Sequence, residues 1–188
     1  MRKKVLTGAG AVIAALGIYW YAGHADQNKS TEAVKPAGSV AVNQAKDIKQ
    51  MVHDYSARTI TSESASITST QLIVDSGTSN ETTYDLPDNE FFLSVAPYLE
   101  KTHPCATHSL TGCQGEMANQ DFDVLIEDAD GKEVMNGAVK SQPNGFIDLW
   151  LPRDQTYKIT ITQGGKQAKS EISTFKKDDT CLTTMQLG

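Results

Sequence analysis

The sequence has few aromatic residues and fewer basic than acidic ones. Aromatic side chains make up 7% of the 188 residues, and 17 lysines and arginines stand against 23 acidic residues, which gives a formal net charge of −6. The first 25 residues hold three basic residues and no acidic one, so the rest of the chain carries −9. A body with this charge repels phosphate backbones and no basic stripe offsets it, which argues against nucleic-acid binding.

Cysteine is also scarce, and its spacing excludes several common motifs. The chain has only Cys105, Cys113 and Cys181. None lies near the N-terminus, so a lipid-modified N-terminus is not supported, and no Cys-x-x-Cys redox pair is present. The separation of Cys105 from Cys113 is longer than the spacings typical of structural zinc sites. The sequence carries no nucleophile motif, although spacing alone leaves a Cys–His nucleophile open.

One long apolar run stands at the N-terminus. The basic residues 2–4 precede the apolar stretch 5–23, which is the layout of a secretory signal, and residues 23–25 offer small side chains for cleavage. The aromatic residues 19–21 are instead typical of a membrane interface. Residues 1–25 are therefore predicted to be either a signal peptide or an N-terminal membrane anchor. Both predict that the body is exported, to the periplasm or the extracytoplasmic cell surface.

Export changes how three cysteines are interpreted. Free thiols tend to pair in an oxidising compartment. With an odd number, at least one thiol remains unpaired, pairs with a cysteine of another chain or is held by a metal. One alternative is therefore a structural secreted module that a disulfide staples together. Another is a thiol–disulfide redox protein. A reversible disulfide could also be the metal-free, oxidised form of a metal site.

The first part of the body is predicted to be an α+β domain. Residues 26–43 are small and polar, as in a flexible linker. Apolar residues at helical spacing predict an amphipathic helix over 44–55, and alternating residues from 58 onward predict strands. The last of these strands is predicted to end before Pro97. We therefore expect a small N-terminal α/β region, within an α+β domain over 44–118 that includes the Cys/His loop.

The second part is predicted to be a C-terminal antiparallel β-sandwich over 119–188. Its strands are separated by turn-forming pairs such as Asn144-Gly145 and Gly164-Gly165. Short alternating strands at this spacing are typical of a sandwich. The predicted strands are 121–127, 134–139, 146–151, 157–161, 168–175 and 180–187.

Residues 103–116 form a polar loop that concentrates soft, coordinating side chains. The loop contains His103, Cys105, His108 and Cys113. Copper(I) prefers thiolate and thioether ligands, often with an imidazole. If the fold returns Cys181 to this loop, the three cysteines make a Cu(I) site. His108, which lies between the two loop cysteines, and then His103 are the auxiliary ligands. Zinc is the alternative metal.

The strand at the C-terminus offers one further ligand. In a regular strand Cys181, Thr183 and Met185 share one face, so Met185 could present a thioether beside Cys181. Ordinary packing in the core is the alternative for Met185.

Three stretches of the chain resemble the CueP family of exported copper-binding proteins. They are His103–Glu116, which reads His-Pro-Cys-x-x-His-Ser-Leu-Thr-Gly-Cys-Gln-Gly-Glu, then Asn144–Asp154 and Thr180–Met185. The resemblance runs from about residue 91 to residue 187, and more loosely back to the predicted helix. The three cysteines of the family map onto Cys105, Cys113 and Cys181.

This resemblance implies a periplasmic or cell-surface protein for copper resistance and trafficking. It also implies reduction of Cu(II), as substrate, to Cu(I), and delivery of copper to a client cuproprotein such as superoxide dismutase. A two-domain build and a homodimer are implied as well. We therefore expect mainly a metal-binding protein, and cupric reductase is the enzyme activity that the resemblance implies for it.

Overall fold

A computed structural model describes residues 37–188, and their side chains from residue 44 onward. The predicted leader over 1–25 and the first part of the predicted linker lie outside the described residues. The elements are α1 (Ala37–Ser56), β1 (Ala65–Ile67), β2 (Gln71–Val74), β3 (Thr82–Asp85), β4 (Glu90–Tyr98), β5 (His108–Ser109), β6 (Asp121–Asp128), β7 (Glu133–Lys140), β8 (Ile147–Pro152), β9 (Thr156–Gln163), β10 (Lys166–Ser173) and β11 (Cys181–Gln186).

Helix α1 is the predicted amphipathic helix, but it begins earlier than predicted. It starts at Ala37, so residues 37–43, predicted as linker, are helical. Val52 and Tyr55 are buried, as their helical spacing predicts. Just after the helix, Arg58 takes a left-handed backbone conformation with φ 60°, which ends the helical path. Within residues 37–188 no helix combines the length and the apolar character that a membrane span requires.

Helix α1 packs with a four-stranded antiparallel sheet of order β3-β2-β1-β5. The first strands alternate, as the sequence predicts: Leu72 and Val74 are buried, while Gln71 and Ile73 are partly exposed. Val52, Tyr55, Ile67 and Leu72 share one apolar cluster with Phe92 of β4. This first cluster therefore lies between α1, this sheet and strand β4.

The middle sheet has the order β11-β4-β8 and is covered on both faces. Strand β4 pairs antiparallel with β8 and parallel with β11. Phe91, Leu93 and Val95 belong to one apolar cluster, whereas Phe92 belongs to the cluster around α1. Such a strand reads as a continuous apolar run because both of its faces are buried. It was predicted to end before Pro97, but it continues through Pro97 to Tyr98.

The third sheet, of order β10-β9-β6-β7, packs against the middle sheet and completes a β-sandwich. Its core holds Phe122, Ile126, Tyr157 and Ile159, all at most 2% exposed. All pairings within this sheet are antiparallel. The sandwich predicted from the sequence is therefore present, although its middle sheet takes β4 from before residue 119 and contains one parallel pair.

The predicted C-terminal β-sandwich is confirmed, whereas the predicted small N-terminal α/β region is not supported. The described residues are mostly β-sheet, and α1 is the helix among them. The first part of the body is an antiparallel sheet with one helix packed on it, not an alternation of strands and helices, because the Ser/Thr-rich segments after residue 58 form short strands. The described residues, 37–188, belong to one compact unit. The division at 118 and 119 into two domains stays a prediction.

A bulge in β11 turns Met185 away from Cys181. Strand β11 runs beside β4 with Cys181 opposite Ser94 and Leu182 opposite Val95, and the register then shifts before Met185. An extra residue in one strand moves the following side chains to the other face. Met185 consequently packs in the sandwich core, while Cys181 packs in a separate cluster with Phe146. The prediction that both residues share one face was wrong.

The Asn-Gly turn before β8 packs closely against the Cys/His loop. Gly145 has φ 81°, and a Cβ placed on it would lie 2.6 Å from the carbonyl oxygen of Gly115. The Gly115 N–H donates to the Asn144 carbonyl at 2.7 Å. Only glycines allow two backbones to approach this closely.

We expect Gly145→Ala to lower the free energy of unfolding by clearly more than the cost of a positive φ alone, which is about 1–2 kcal/mol. Gly131→Ala is the matched control, since Gly131 has φ 79° and a Cβ placed on it would meet nothing within 4 Å. Chemical denaturation of the two variants beside the wild type measures the difference. Equal losses would show that the contact with Gly115 contributes nothing.

Candidate metal centre

Four of the five predicted site residues converge in space. Cys105, His108, Cys113 and Cys181 each offer a ligand atom, and these atoms all lie within 4.8 Å of one another. The Sγ atoms of Cys105 and Cys113 are 3.5 Å apart, and the Sγ of Cys181 is 3.6 Å from Nδ1 of His108. All three cysteines are free thiols. The fold thus returns Cys181 to the loop; that these residues are ligands stays a proposal.

Cys181 is held by the middle sheet, at the first position of β11. Its neighbour across the parallel pair is Ser94 of β4, and the neighbour of Ser94 on the other side is Asp148 of β8. Directly opposite residues of paired strands project from the same face of a sheet. Cys181, Ser94 and Asp148 therefore stand abreast, and we call these three residues the cross-sheet row.

His108 is fixed by its backbone as well as by its ring. In β5 it pairs with Ile67 of β1, and its N–H donates to the Thr180 hydroxyl at 3.1 Å. That hydroxyl donates in turn to the Ile67 carbonyl at 2.6 Å. The imidazole is fully buried, with its centroid 4.5 Å from that of Phe146. The ring therefore has a defined position facing the cross-sheet row.

The Cys113 end of the loop is held by Arg58, which lies two residues after the end of α1. The Arg58 guanidinium donates to the carbonyls of Leu110, Thr111 and Cys113, at 3.0, 2.7 and 3.3 Å. Arginine suits this contact because its five N–H groups are fixed in one plane. The side chain of Arg58 thus connects the end of the helix to the part of the loop that carries Cys113.

The far end of the loop is anchored by Glu116. Its Oε2 accepts the backbone N–H groups of Lys101, Glu100 and Leu99, at 3.0, 2.9 and 2.9 Å. These donors favour the ionised carboxylate and so hold the pKa of Glu116 below its ordinary value. The carboxylate therefore ties together the two ends of the loop.

His103 lies beside the cluster but outside the set of four. Its ring is half-buried, 6.3 Å from the ring of Phe146. His103 contributes to lowering the pKa of the Cys113 thiol, though less than Cys181 does. A role for His103 as an auxiliary ligand stays a prediction, and its position in this structure is that of a neighbour.

The three thiols share one easily formed negative charge. A hydrogen bond from Cys181 lowers the pKa of Cys113 far below its ordinary value. Burial raises the pKa of Cys105 to about 11. The hydrogen bond that Cys181 donates to Cys113, together with burial, raises the pKa of Cys181. Ionising a second thiol would place two negative charges side by side in a partly desolvated site.

The surroundings of the thiols are apolar on one side and acidic on the other. Ala96 and Phe146 pack against the cysteines from within. On the outer side, Cys105 and Cys181 line a surface cleft of about 360 Å³ together with carboxylates. The acidic residues of this cleft are Glu171, Asp178 and Asp179.

Several residues of the centre were not predicted from the sequence. Ser94 and Asp148 are polar interruptions in strands that are otherwise apolar on both sides, and that interruption is the pattern that could have revealed them. Phe146 has the pattern of an ordinary strand residue. Arg58 shows no pattern at all, since its partners are backbone carbonyls.

The chain is similar to known proteins in sequence and in fold. The family model of the periplasmic copper-binding protein CueP matches residues 47–186. The chain belongs to the CueP family. The crystal structure of S.CueP is 37% identical to the chain, with a TM-score of 0.71, and the match covers 82% of this chain and 100% of that one. No curated protein matches the chain. The resemblance to the CueP family found in the sequence is thereby confirmed.

The shared charge predicts which thiol reacts first. We expect iodoacetamide to label Cys113 before the other two cysteines in the reduced, metal-free protein, at a pH below the ordinary thiol pKa of about 8.5. The reason is that the thiolate is the nucleophile and Cys113 has the lowered pKa. Peptide mapping by mass spectrometry identifies the labelled residue.

The matched variant for this test is Cys181→Ala. It removes the hydrogen bond that lowers the pKa of Cys113 most, so labelling of Cys113 should then require a higher pH. First labelling at Cys105, or an unchanged pH dependence in Cys181→Ala, would contradict the shared-charge interpretation.

Proposed function

We propose that this CueP-family protein binds Cu(I) through Cys105, Cys113 and Cys181, with His108 as the imidazole ligand. The observation that carries this proposal is the convergence of three sulfur atoms and one nitrogen atom within 4.8 Å. These residues come from separate elements: the loop, β5 and β11. Such a convergence of soft donors is expected for a site that selects a soft ion.

The surroundings favour copper over zinc. Low coordination numbers suit Cu(I), so two or three sulfurs suffice in a partly buried pocket. Three cysteines and one histidine also occur in structural zinc sites, but the cysteines and histidines of those sites usually come in short-spaced pairs, and Cys105 and Cys113 are too far apart in sequence to form one. Carboxylates along the cleft and the negative charge of the body concentrate cations near the thiols.

The first test is an anaerobic Cu(I) titration of the reduced protein against a competing chelator. We expect tight uptake, and we expect each of Cys105→Ser, Cys113→Ser and Cys181→Ser to weaken it by more than about 100-fold. That is beyond the 10–100-fold typical of losing a residue that only supports a ligand. The loss follows because each substitution removes a sulfur donor.

His53→Ala is the control for His108→Ala in the same titration. His53 lies on α1, where its side chain contacts Gln142 and no cysteine. His53→Ala should leave the affinity unchanged and His108→Ala should lower it. No competitive uptake by the wild type, or preferential uptake of Zn(II), would contradict the proposal.

We propose further that the site reduces Cu(II), using Cys105 and Cys113 as the electron donors. Their sulfurs are 3.5 Å apart and both side chains are half-buried, whereas Cys181 is 5% exposed. Two thiolates and two Cu(II) ions give one disulfide and two Cu(I) ions, each sulfur supplying one electron. Cys181 and His108 then remain to hold one Cu(I).

Anaerobic addition of Cu(II) in the presence of a Cu(I)-specific indicator tests this step. We expect two Cu(I) per chain and a Cys105–Cys113 disulfide in the peptide map. Cys181→Ser should still reduce Cu(II), because the disulfide-forming pair is intact, but should release the product more readily. A disulfide that includes Cys181, or loss of reduction in Cys181→Ser, would contradict the assignment of the pair.

The same proposal extends to copper resistance and trafficking. We propose that the protein acts in the periplasm, where its family is placed, and passes Cu(I) to a client cuproprotein such as superoxide dismutase. The cleft supports this, because Cys105 and Cys181 both line it. A homodimer and attachment by the leader also remain predictions.

A further inference from the structure

We propose that Ser94 and Asp148 are positioning residues that hold His108 in the tautomer protonated at Nε2. They thereby leave Nδ1 as the nitrogen that binds copper. This inference rests on the proposed function of the site, and it adds which nitrogen is the ligand and what keeps that nitrogen free.

The cross-sheet row places the two sides of the imidazole in different surroundings. Ser94 lies between Cys181 and Asp148 in the register of the middle sheet. The ring of His108 faces this row, with Nδ1 3.6 Å from the Cys181 sulfur and Nε2 3.3 Å from the Ser94 hydroxyl oxygen. One nitrogen therefore faces the thiols, and the other faces the relay that Ser94 and Asp148 form.

Counting hydrogens decides which nitrogen is protonated. The Ser94 hydroxyl has one hydrogen, and its oxygen lies 2.7 Å from Oδ1 of Asp148, a shorter contact than that to His108. A carboxylate is the stronger acceptor, so it takes this hydrogen. The Ser94 oxygen can then only accept from the imidazole, and a neutral imidazole has one N–H. That N–H is on Nε2.

The buried Oδ2 atom of Asp148 gives a second reason why the Ser94 hydroxyl donates to Asp148. This oxygen has no hydrogen-bond partner among the described residues. A half-buried carboxylate with one buried, unpartnered oxygen depends on the hydrogen bond that its other oxygen receives, because losing that bond would leave the charge further uncompensated. The Ser94 hydroxyl therefore stays directed at Asp148 and is not free to donate to His108.

The ring cannot easily rotate out of this arrangement. Ser94 and His108 are both fully buried, and Phe146 packs against the imidazole. The Thr180 hydroxyl holds the backbone N–H of His108. Metal-binding histidines are commonly oriented in this way, by a hydrogen bond on the nitrogen that does not bind the metal. Here the partner is a serine that passes the interaction on to a carboxylate.

The relay matters because the opposite tautomer would block the site. With the hydrogen on Nδ1, the imidazole would donate to the Cys181 sulfur and would offer no lone pair to a metal there. Metal uptake would then first require the proton to move to Nε2. Holding the hydrogen on Nε2 in advance removes that step.

The direct test is ¹⁵N NMR of the imidazole nitrogens in the reduced, metal-free protein. The measurement is made in mildly alkaline solution, above the ordinary imidazole pKa of about 6.5. We expect the wild type to show His108 as the Nε2–H tautomer. Ser94→Ala should populate the Nδ1–H tautomer, and Asp148→Asn should shift the equilibrium in the same direction by a smaller amount.

Ser56→Ala is the matched control. Ser56 is also fully buried, at the end of α1, and its hydroxyl has no hydrogen-bond partner among the described residues. This variant should leave the ¹⁵N shifts of His108 unchanged, so a general effect of removing a buried hydroxyl can be recognised. An Nδ1–H tautomer in the wild type, or an unchanged tautomer in Ser94→Ala, would overturn the proposal.

A second arm adds Cu(I) to the same samples under anaerobic conditions. We expect the Nδ1 resonance to shift on loading, and we expect Ser94→Ala to bind Cu(I) about 10–100-fold more weakly. Binding through Nε2 would overturn the inference. If the wild type takes up no Cu(I), the proposed function fails, whereas the tautomer measured without metal still decides whether the relay exists.

Discussion

The centre depends on the pairing of strand β4. Both of its neighbours are hydrogen-bonded to it, and both of its faces are buried, so its position is fixed from every side. One face supplies Phe91 and Leu93 to the sandwich core, and the other carries Ser94 toward the metal centre. Since strands pair at a fixed spacing of about 4.8 Å, Cys181 and Asp148 are placed beside Ser94 by the sheet itself.

This constraint divides the centre into two halves of different character. Cys181 and His108 lie on strands, are buried and have defined partners, so they form the rigid half. Cys105 and Cys113 lie on the loop and are half-buried, and the loop keeps its shape through contacts such as those of Arg58 and Glu116. Retaining an ion requires fixed ligands, whereas forming a disulfide requires sulfurs that can approach each other. The two halves suit these two tasks.

Local patterns in the sequence predicted much of the fold and most of the centre. Alternating apolar residues predicted most strands, and the concentration of cysteine and histidine in one loop predicted where the centre lies. The missing parts depend on register between distant strands. The bulge that turns Met185 into the core arises from the pairing of β11 with β4, and the role of Ser94 arises from its two neighbours across the sheet. A residue pattern within one segment reveals neither the bulge in β11 nor the neighbours of Ser94 across the sheet. The predicted N-terminal α/β region is instead a sheet of short Ser/Thr-rich strands packed with one helix.

The electrostatics of the thiols fit a monovalent ion. Without metal, the site easily holds one thiolate, since the hydrogen bond from Cys181 stabilises the ionised Cys113 and a second ionisation is opposed. If two of the three sulfurs are thiolates and the third remains a thiol, a site that holds Cu(I) and a neutral imidazole would have a net charge of −1, the same as the metal-free site with one thiolate. Binding can therefore leave the buried charge unchanged while one proton is released. The proposed Ser94–Asp148 relay fits this balance, because an imidazole whose proton stays on Nε2 would add a donor to the metal without adding charge to the pocket.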